Sequence, residues 1–278
     1  MIYRIIGSAF EECNRSQEAI DCYDKALKID PEFFPARTGK GDAYLMPFNK
    51  NDLLEAISFY DKALAINSKY VPAWRGKGYA YYYLSRYDEA IFCYDKSLEI
   101  DPQNIATLIR KGGAFRSLGQ HEEAFSCYDR VLEIDPCFSS AWVEKGDAYA
   151  EIRRFEEAFG CYDNAFCINP HDYFYALRTK GNILMNLQRY EEANICCDKN
   201  LEIIPNECSA SSLKASALLH IGRYNEAIAI CDKFLEIDPH FYQCCNTRDI
   251  LYLNLVNMKK RLAALTKRWK RIYRMLKR

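Results

Sequence analysis

The chain has 278 residues, 49% of them hydrophobic and 14% aromatic, too apolar for general disorder and long enough to bury a large interior. The formal net charge is zero, but ten of the 38 Lys and Arg lie in 257–278, which holds no Asp or Glu; residues 1–256 carry the other 28 against all 38 acidic side chains, a net of −10. No apolar run approaches a membrane span, and Met1-Ile2-Tyr3-Arg4-Ile5-Ile6 meets Glu11 and Glu12 too early for a signal peptide, so a cytoplasmic protein is expected.

In chain order, the predicted elements are pairs of helices that recur. The string Ala90-Ile91-Phe92-Cys93-Tyr94-Asp95-Lys96-Ser97-Leu98 has relatives beginning at Ala19, Ala56, Ala124, Ala158, Ala193 and Ala227, spaced 34, 34, 35 and 34 residues apart from Ala90 onward. Pro31, Pro102, Pro136, Pro170, Pro205 and Pro239 keep the same beat, with Ser68 at the remaining position. A shorter beat precedes each string. It is clearest as Trp74, Lys77-Gly78, Tyr81 and as Trp142, Lys145-Gly146, Tyr149, with degenerate forms around Gly7, Gly41, Gly112, Gly181 and Ala215.

Trp74, Gly78 and Tyr81 are four and three apart, which places them on one face of a first helix; Ala90, Tyr94 and Ser97 do the same on a second. A small residue thus opposes a large one where the helices cross. Pro102 biases Asp101 away from helical angles and ends the second helix. Seven repeats tile 1–33, 34–70, 71–104, 105–138, 139–173, 174–207 and 208–241, followed by a C-terminal helix over 242–278. The second repeat is three residues longer, in Met46-Pro47-Phe48-Asn49-Lys50-Asn51-Asp52. There Pro47 is expected to stop the first helix and leave a longer turn that carries Phe48.

These two beats, the proline and the 34-residue period resemble the tetratricopeptide repeat (TPR), whose pattern is W-x2-L-G-x2-Y, then A-x3-F, then P. The chain departs from it with Lys where the family often has Leu, and Tyr or Cys for Phe. The resemblance implies an all-α fold: a right-handed superhelical solenoid of antiparallel helix pairs, with a concave surface lined by first helices.

Sequence chemistry points away from catalysis. The chain has no Walker-type loop, no G-x-S-x-G elbow and no H-E-x-x-H. Gly39-Lys40-Gly41 and Gly76-Lys77-Gly78 sit inside first helices and are read as packing glycines. His121, His171, His220 and His240 are scattered near helix ends or turns. The thirteen cysteines include no C-x-x-C pair, so no metal site and no cofactor are expected. Cys22, Cys93, Cys127, Cys161 and Cys196 share one position just before the aromatic of the second helix, where cysteine packs as a small hydrophobe. A first helix separates successive members, which puts them beyond disulfide reach.

By the family resemblance, ligand-facing positions fall one, five and eight residues after the Trp position. They are Arg75, Tyr79 and Tyr82 in the third repeat, and Ile109, Gly113 and Arg116 in the fourth. The fifth gives Val143, Asp147 and Ala150, and the sixth Arg178, Asn182 and Met185. Tyr and Arg are the types enriched at binding hot spots. The peptide-binding set is therefore Arg75, Tyr79, Tyr82, Arg116, Asp147, Arg178 and Asn182, with the third repeat as anchor. Some TPR proteins clamp a chaperone's terminal carboxylate with Lys and Asn. Arg178 and Asn182 match one such pair, but Ser216, Gln243 and Thr247 do not supply the rest.

In the last segment Leu251, Leu255, Met258, Leu262, Leu265, Trp269, Ile272 and Leu276 alternate four and three apart, a heptad stripe. It is flanked by Lys259, Lys260, Arg261, Lys267, Arg268, Lys270 and Arg271. That basic stripe, with Trp269, is expected to meet an acidic partner, an anionic membrane, nucleic acid or the acidic repeats themselves. The function expected from sequence is a non-enzymatic scaffold that binds an extended peptide or a helix. The alternatives are a tethered adaptor, or the TPR half of an enzyme whose catalytic part lies on another chain.

Overall fold

The computed structural model describes residues 15–45, 49–170 and 174–237. The expected first helix of repeat 1, the helix over 242–278 and all the tail residues from Lys259 to Arg271 lie outside them. Every regular element among the described residues is a helix. The chain forms two compact units, 1–154 and 155–278, which divide between the two helices of the fifth repeat.

In the first unit the helices are α1 (Ser16–Ile29), α2 (Phe34–Leu45), α3 (Lys50–Ile66), α4 (Val71–Tyr83), α5 (Tyr87–Ile100), α6 (Ile105–Ser117), α7 (His121–Ile134) and α8 (Ser139–Glu151). The second unit holds α9 (Phe155–Ile168), α10 (Phe174–Asn186), α11 (Tyr190–Ile203), α12 (Cys208–Ile221) and α13 (Tyr224–Ile237). Within each unit consecutive helices pack on one another, and alternate first helices also touch, as α2 does α4 and α10 does α12.

Two kinds of turn keep this order. After a second helix, an Asp or Asn leaves helical angles and its carboxylate or amide oxygen accepts the backbone N–H two residues on. Asp30 takes Glu32 N at 3.0 Å, Asn67 takes Lys69 N at 3.0 Å and Asp135 takes Cys137 N at 2.9 Å. Such local bonds replace the helical ladder. The following first helix is tied back to that turn by its indole: Trp74 Nε1 donates to Ser68 O at 2.8 Å and Trp142 Nε1 to Pro136 O at 3.2 Å. After a first helix the chain turns through a left-handed residue, Ser85, Gly119, Arg153, Gln188 or Gly222. The next N–H then bonds the carbonyl five residues back, as Arg86 N does Tyr81 O at 2.9 Å.

The expected turn at Met46-Pro47-Phe48 lies outside the described residues. α2 is described to Leu45, and α3 begins at Lys50. α3 runs 17 residues where α5, α7 and α9 run 14. Asn49 accounts for this: its side chain accepts Asp52 N at 3.0 Å and so caps a helix that begins at Lys50.

The core is built from second-helix tyrosines seated on first-helix glycines. Tyr60, Tyr94, Tyr128 and Tyr162 are fully buried. A Cβ added at Gly41 would lie 2.7 Å from Tyr60 Cε1, and one at Gly76 would lie 2.5 Å from Tyr60 Cζ. Tyr60 therefore fills the space left by two glycines on two different helices, α2 and α4. Gly78 stands in the same relation to Tyr94, and Gly112 to Tyr128. This is why the glycine-rich G-K-G strings belong to packing.

Candidate functional site

The lysine that departs from the family pattern has a structural role. Lys40, Lys77, Lys111 and Lys145 each reach back from a first helix to the aspartate on the preceding second helix. The pairs are with Asp24, Asp61, Asp95 and Asp129, at 2.6, 2.6, 2.6 and 2.5 Å. In the second unit Lys180 pairs with Asp163 at 2.6 Å and Lys214 with Asp198 at 2.5 Å. The ammonium groups also face aromatic rings of the same helix, Lys77 Nζ those of Trp74 and Tyr81, Lys145 Nζ those of Trp142 and Tyr149. Six basic side chains are thus committed to joining each helix pair to the next, so they are not free for a ligand.

The free basic groups lie elsewhere. On the face formed by α2, α4 and α6 is a cavity of about 390 Å³, a size suited to a side chain or small ligand. α2 supplies Asp42 and Leu45, α4 supplies Pro72, Arg75, Gly76 and Tyr79, and α6 supplies Ala106 and Arg110. Arg75 and Arg110 make no ion pair among the described residues. The Arg110 guanidinium lies 4.3 Å from the centre of the Tyr79 ring, and the Tyr79 hydroxyl meets that of Tyr83 at 2.8 Å. Asp42 accepts the Tyr60 hydroxyl at 2.6 Å. Burial pushes the Asp42 carboxyl up to about 6, against the opposing pull of the Tyr60 hydrogen bond and the Arg75 charge.

The same register leaves donors unused next door. Asp42 answers Tyr60; the equivalent positions one and two repeats on are Tyr79 and Gly113. The buried hydroxyls of Tyr94 and Tyr128 accordingly have no hydrogen-bond partner, and nothing lies within 4 Å of where a Gly113 Cβ would be.

The remaining sequence-selected residues are placed as follows. Tyr82 meets Ser117 Oγ of α6 at 3.2 Å and its ring packs edge-on against Tyr83 and Tyr87. Arg116 is held by three carboxylates of α8, Glu144 at 2.6 Å, Glu151 at 3.4 Å and Asp147 at 3.9 Å. Arg116 and Asp147 therefore join two first helices to each other. Burial pushes the Glu144 carboxyl up, and Arg116 opposes it. Val143 is buried, and Ile109 packs against the core. In the second unit Arg178 pairs with Glu207 at 3.3 Å, a carboxylate that also caps α12, while Asn182 is exposed.

Asp42 and Arg110 were missed by sequence reasoning. Asp42 falls five residues after Arg37, which holds the Trp position of the second repeat, so extending the rule to that repeat would have found it. Arg110 lies two residues after Leu108, one past the position the rule marks. Among the described residues no group of His, Cys, Asp and Glu could hold a metal ion, and no helix is long and apolar enough to cross a membrane.

The tetratricopeptide-repeat family matches residues 2–33, 71–104, 105–136 and 210–241, segments that include α4 and α5 in full. The chain is a tetratricopeptide-repeat protein. Solved structures agree on this all-α TPR fold. A tetratricopeptide repeat protein from Parabacteroides merdae superposes with a TM-score of 0.61 at 14% identity, over 90% of this chain and 97% of its own. PilF of Pseudomonas aeruginosa gives 0.61 at 18% identity, over 77% and 96%. YrrB, described as a TPR protein with an unusual peptide-binding site, gives 0.51 at 23% identity, over 68% and 95%. No curated protein matches the chain. The TPR assignment makes the α2–α4–α6 face a surface of first helices, the element type that lines the family's groove.

Proposed function

We propose that this TPR protein is a non-enzymatic scaffold that takes an extended peptide or a helix of a partner protein along the first-helix face of α2, α4 and α6. The observation that carries this is the cavity those three helices share. It holds two arginines without ion pairs among the described residues, and a tyrosine. Arg and Tyr are the side chains that most often anchor an interface, because each offers large contact area together with directional donors. The description of YrrB as having a peptide-binding site gives the same use of the fold in a protein of similar structure.

Photo-crosslinking tests this. The full chain carrying p-benzoylphenylalanine in place of Tyr79 should form adducts with a partner protein, and the same group at Phe92, exposed on the second helix α5, should not. Adducts from position 92 and none from 79 would place binding on the wrong face and refute the reading.

A further inference from the structure

Building on that peptide-binding reading, we propose that the α2–α4–α6 cavity recognises the carboxylate side chain of an acidic residue in the partner peptide. Arg75 and Arg110 grip it, and Asp42 is a built-in competitor for Arg75.

The charge inventory of the face singles out these two arginines. Arg116 already has carboxylates, and Lys40, Lys77 and Lys111 are bound to the preceding second helices. Arg75 and Arg110 come from successive first helices and line one cavity, so an incoming group can reach both at once. A guanidinium is planar, permanently charged and forked, and matches a planar carboxylate through two parallel N–H donors. The Tyr79 ring beneath Arg110 restrains that guanidinium, which reduces the freedom lost on binding. Gly76, whose side-chain position is taken by the Tyr60 ring, and the small Ala106 add no charge to the lining.

Asp42 sets the charge of the incoming group. Tyr60 of α3 and Arg75 of α4 are the groups that face it, and Arg110 of α6 and Tyr79 of α4 complete the polar lining. With Asp42 ionised the cavity carries one net positive charge, which suits a single carboxylate. An acidic side chain entering it repels Asp42 and competes for Arg75. Protonating Asp42 removes that competition. Binding therefore tightens as pH falls through about 6, while a peptide Glu, with a pKa near 4.3, stays charged.

The probe is a library of N-acetylated, C-amidated decapeptides presented to the full chain at pH 7.5. Recovered peptides should carry Asp or Glu at one shared register. Arg75→Gln and Arg110→Gln should each weaken a recovered peptide about tenfold or more, with melting temperatures unchanged. Replacing the peptide's acid by its amide should cost the native chain as much, and cost Arg75→Gln much less. Asp42→Asn should tighten binding by about threefold or more at pH 7.5 and flatten its pH dependence.

Peptides recovered without an acid, or indifferent to both arginines, overturn this proposal and leave the peptide-binding reading standing. An unamidated library without acidic residues that alone gives arginine-dependent binders identifies a chain terminus as ligand and also overturns it. Recovery of nothing from either library overturns both.

Discussion

Two adjacent glycines in α6 give the sharpest test of how these helices are held together. A methyl group at Gly112 would sit 2.5 Å from Tyr128 Cε1, 2.9 Å from Cζ and 3.0 Å from Cδ1. All three are closer than side-chain carbons pack, and Tyr128 is fully buried, so its ring cannot swing into solvent. Such overpacking costs about 1–3 kcal/mol. It works against the roughly 1 kcal/mol by which Ala outranks Gly in a helix. At Gly113 an added methyl meets nothing within 4 Å, so only the favourable helix term remains. Gly113→Ala should therefore stabilise the chain by about 1 kcal/mol, and Gly112→Ala should lie about 1–3 kcal/mol below it. Urea denaturation of the full chain, followed by far-ultraviolet circular dichroism, measures both. Placing Gly112→Ala in a Tyr128→Leu background should recover part of the loss, because the ring that blocks the methyl is gone. If the two alanines stabilise equally, tyrosine seating on glycine does not set the helix approach, and the packing account fails.

The Lys–Asp pairs should be individually weak because their aspartates are about half exposed; a double-mutant cycle on Lys111 and Asp95 should give about 0.5 kcal/mol, shrinking in 1 M salt. Native-state alkylation followed by mass spectrometry should label the exposed Cys137 and Cys167 well before the buried Cys93, Cys127 and Cys197; burial pushes the Cys93 and Cys197 thiols up to about 12, so equal rates would contradict their placement. Asp42 binds its proton more tightly folded than unfolded, so its contribution to stability falls as pH rises from about 4 to 6 and stays low above. Asp42→Asn should remove that fall and stabilise the chain by roughly 1–3 kcal/mol at pH 7.5, read from urea melts at pH 4.5 and 7.5.

The helix pairs were legible because their signal repeats. Trp74 and Tyr81 recur as Trp142 and Tyr149, and each second helix sets Ala, then an aromatic or cysteine, at the same spacing. One repeat could be chance; the recurrence fixes the period and with it the face that is buried. What escaped the sequence was chemistry between repeats. Lys77 read as a departure because its partner Asp61 belongs to the previous helix pair. Arg116 and Asp147 read as free because the Glu144 and Glu151 that share their network lie on the same facing helix, α8. The extra turn of α3 has a local cause: Asn49 caps a helix that begins at Lys50.

Within the site the split is similar. Arg75 and Tyr79 line the cavity, and both follow from helical spacing within one helix. Arg110 depends on how α6 sits beside α4, which spacing alone does not give. Asp42 was within reach of the same rule applied one repeat earlier. Its hydrogen bond to Tyr60, and the missing equivalents at Tyr94 and Tyr128, needed the packed structure.

Hydrogen exchange on the full chain, with and without a bound peptide from the library, tests the central claim most directly. Peptide along the first-helix face should slow exchange in α2, α4 and α6 and leave α3, α5 and α7 unchanged, and Arg75→Gln should abolish the protection. Protection confined to α3, α5 and α7, or unaffected by the loss of Arg75, would contradict the account.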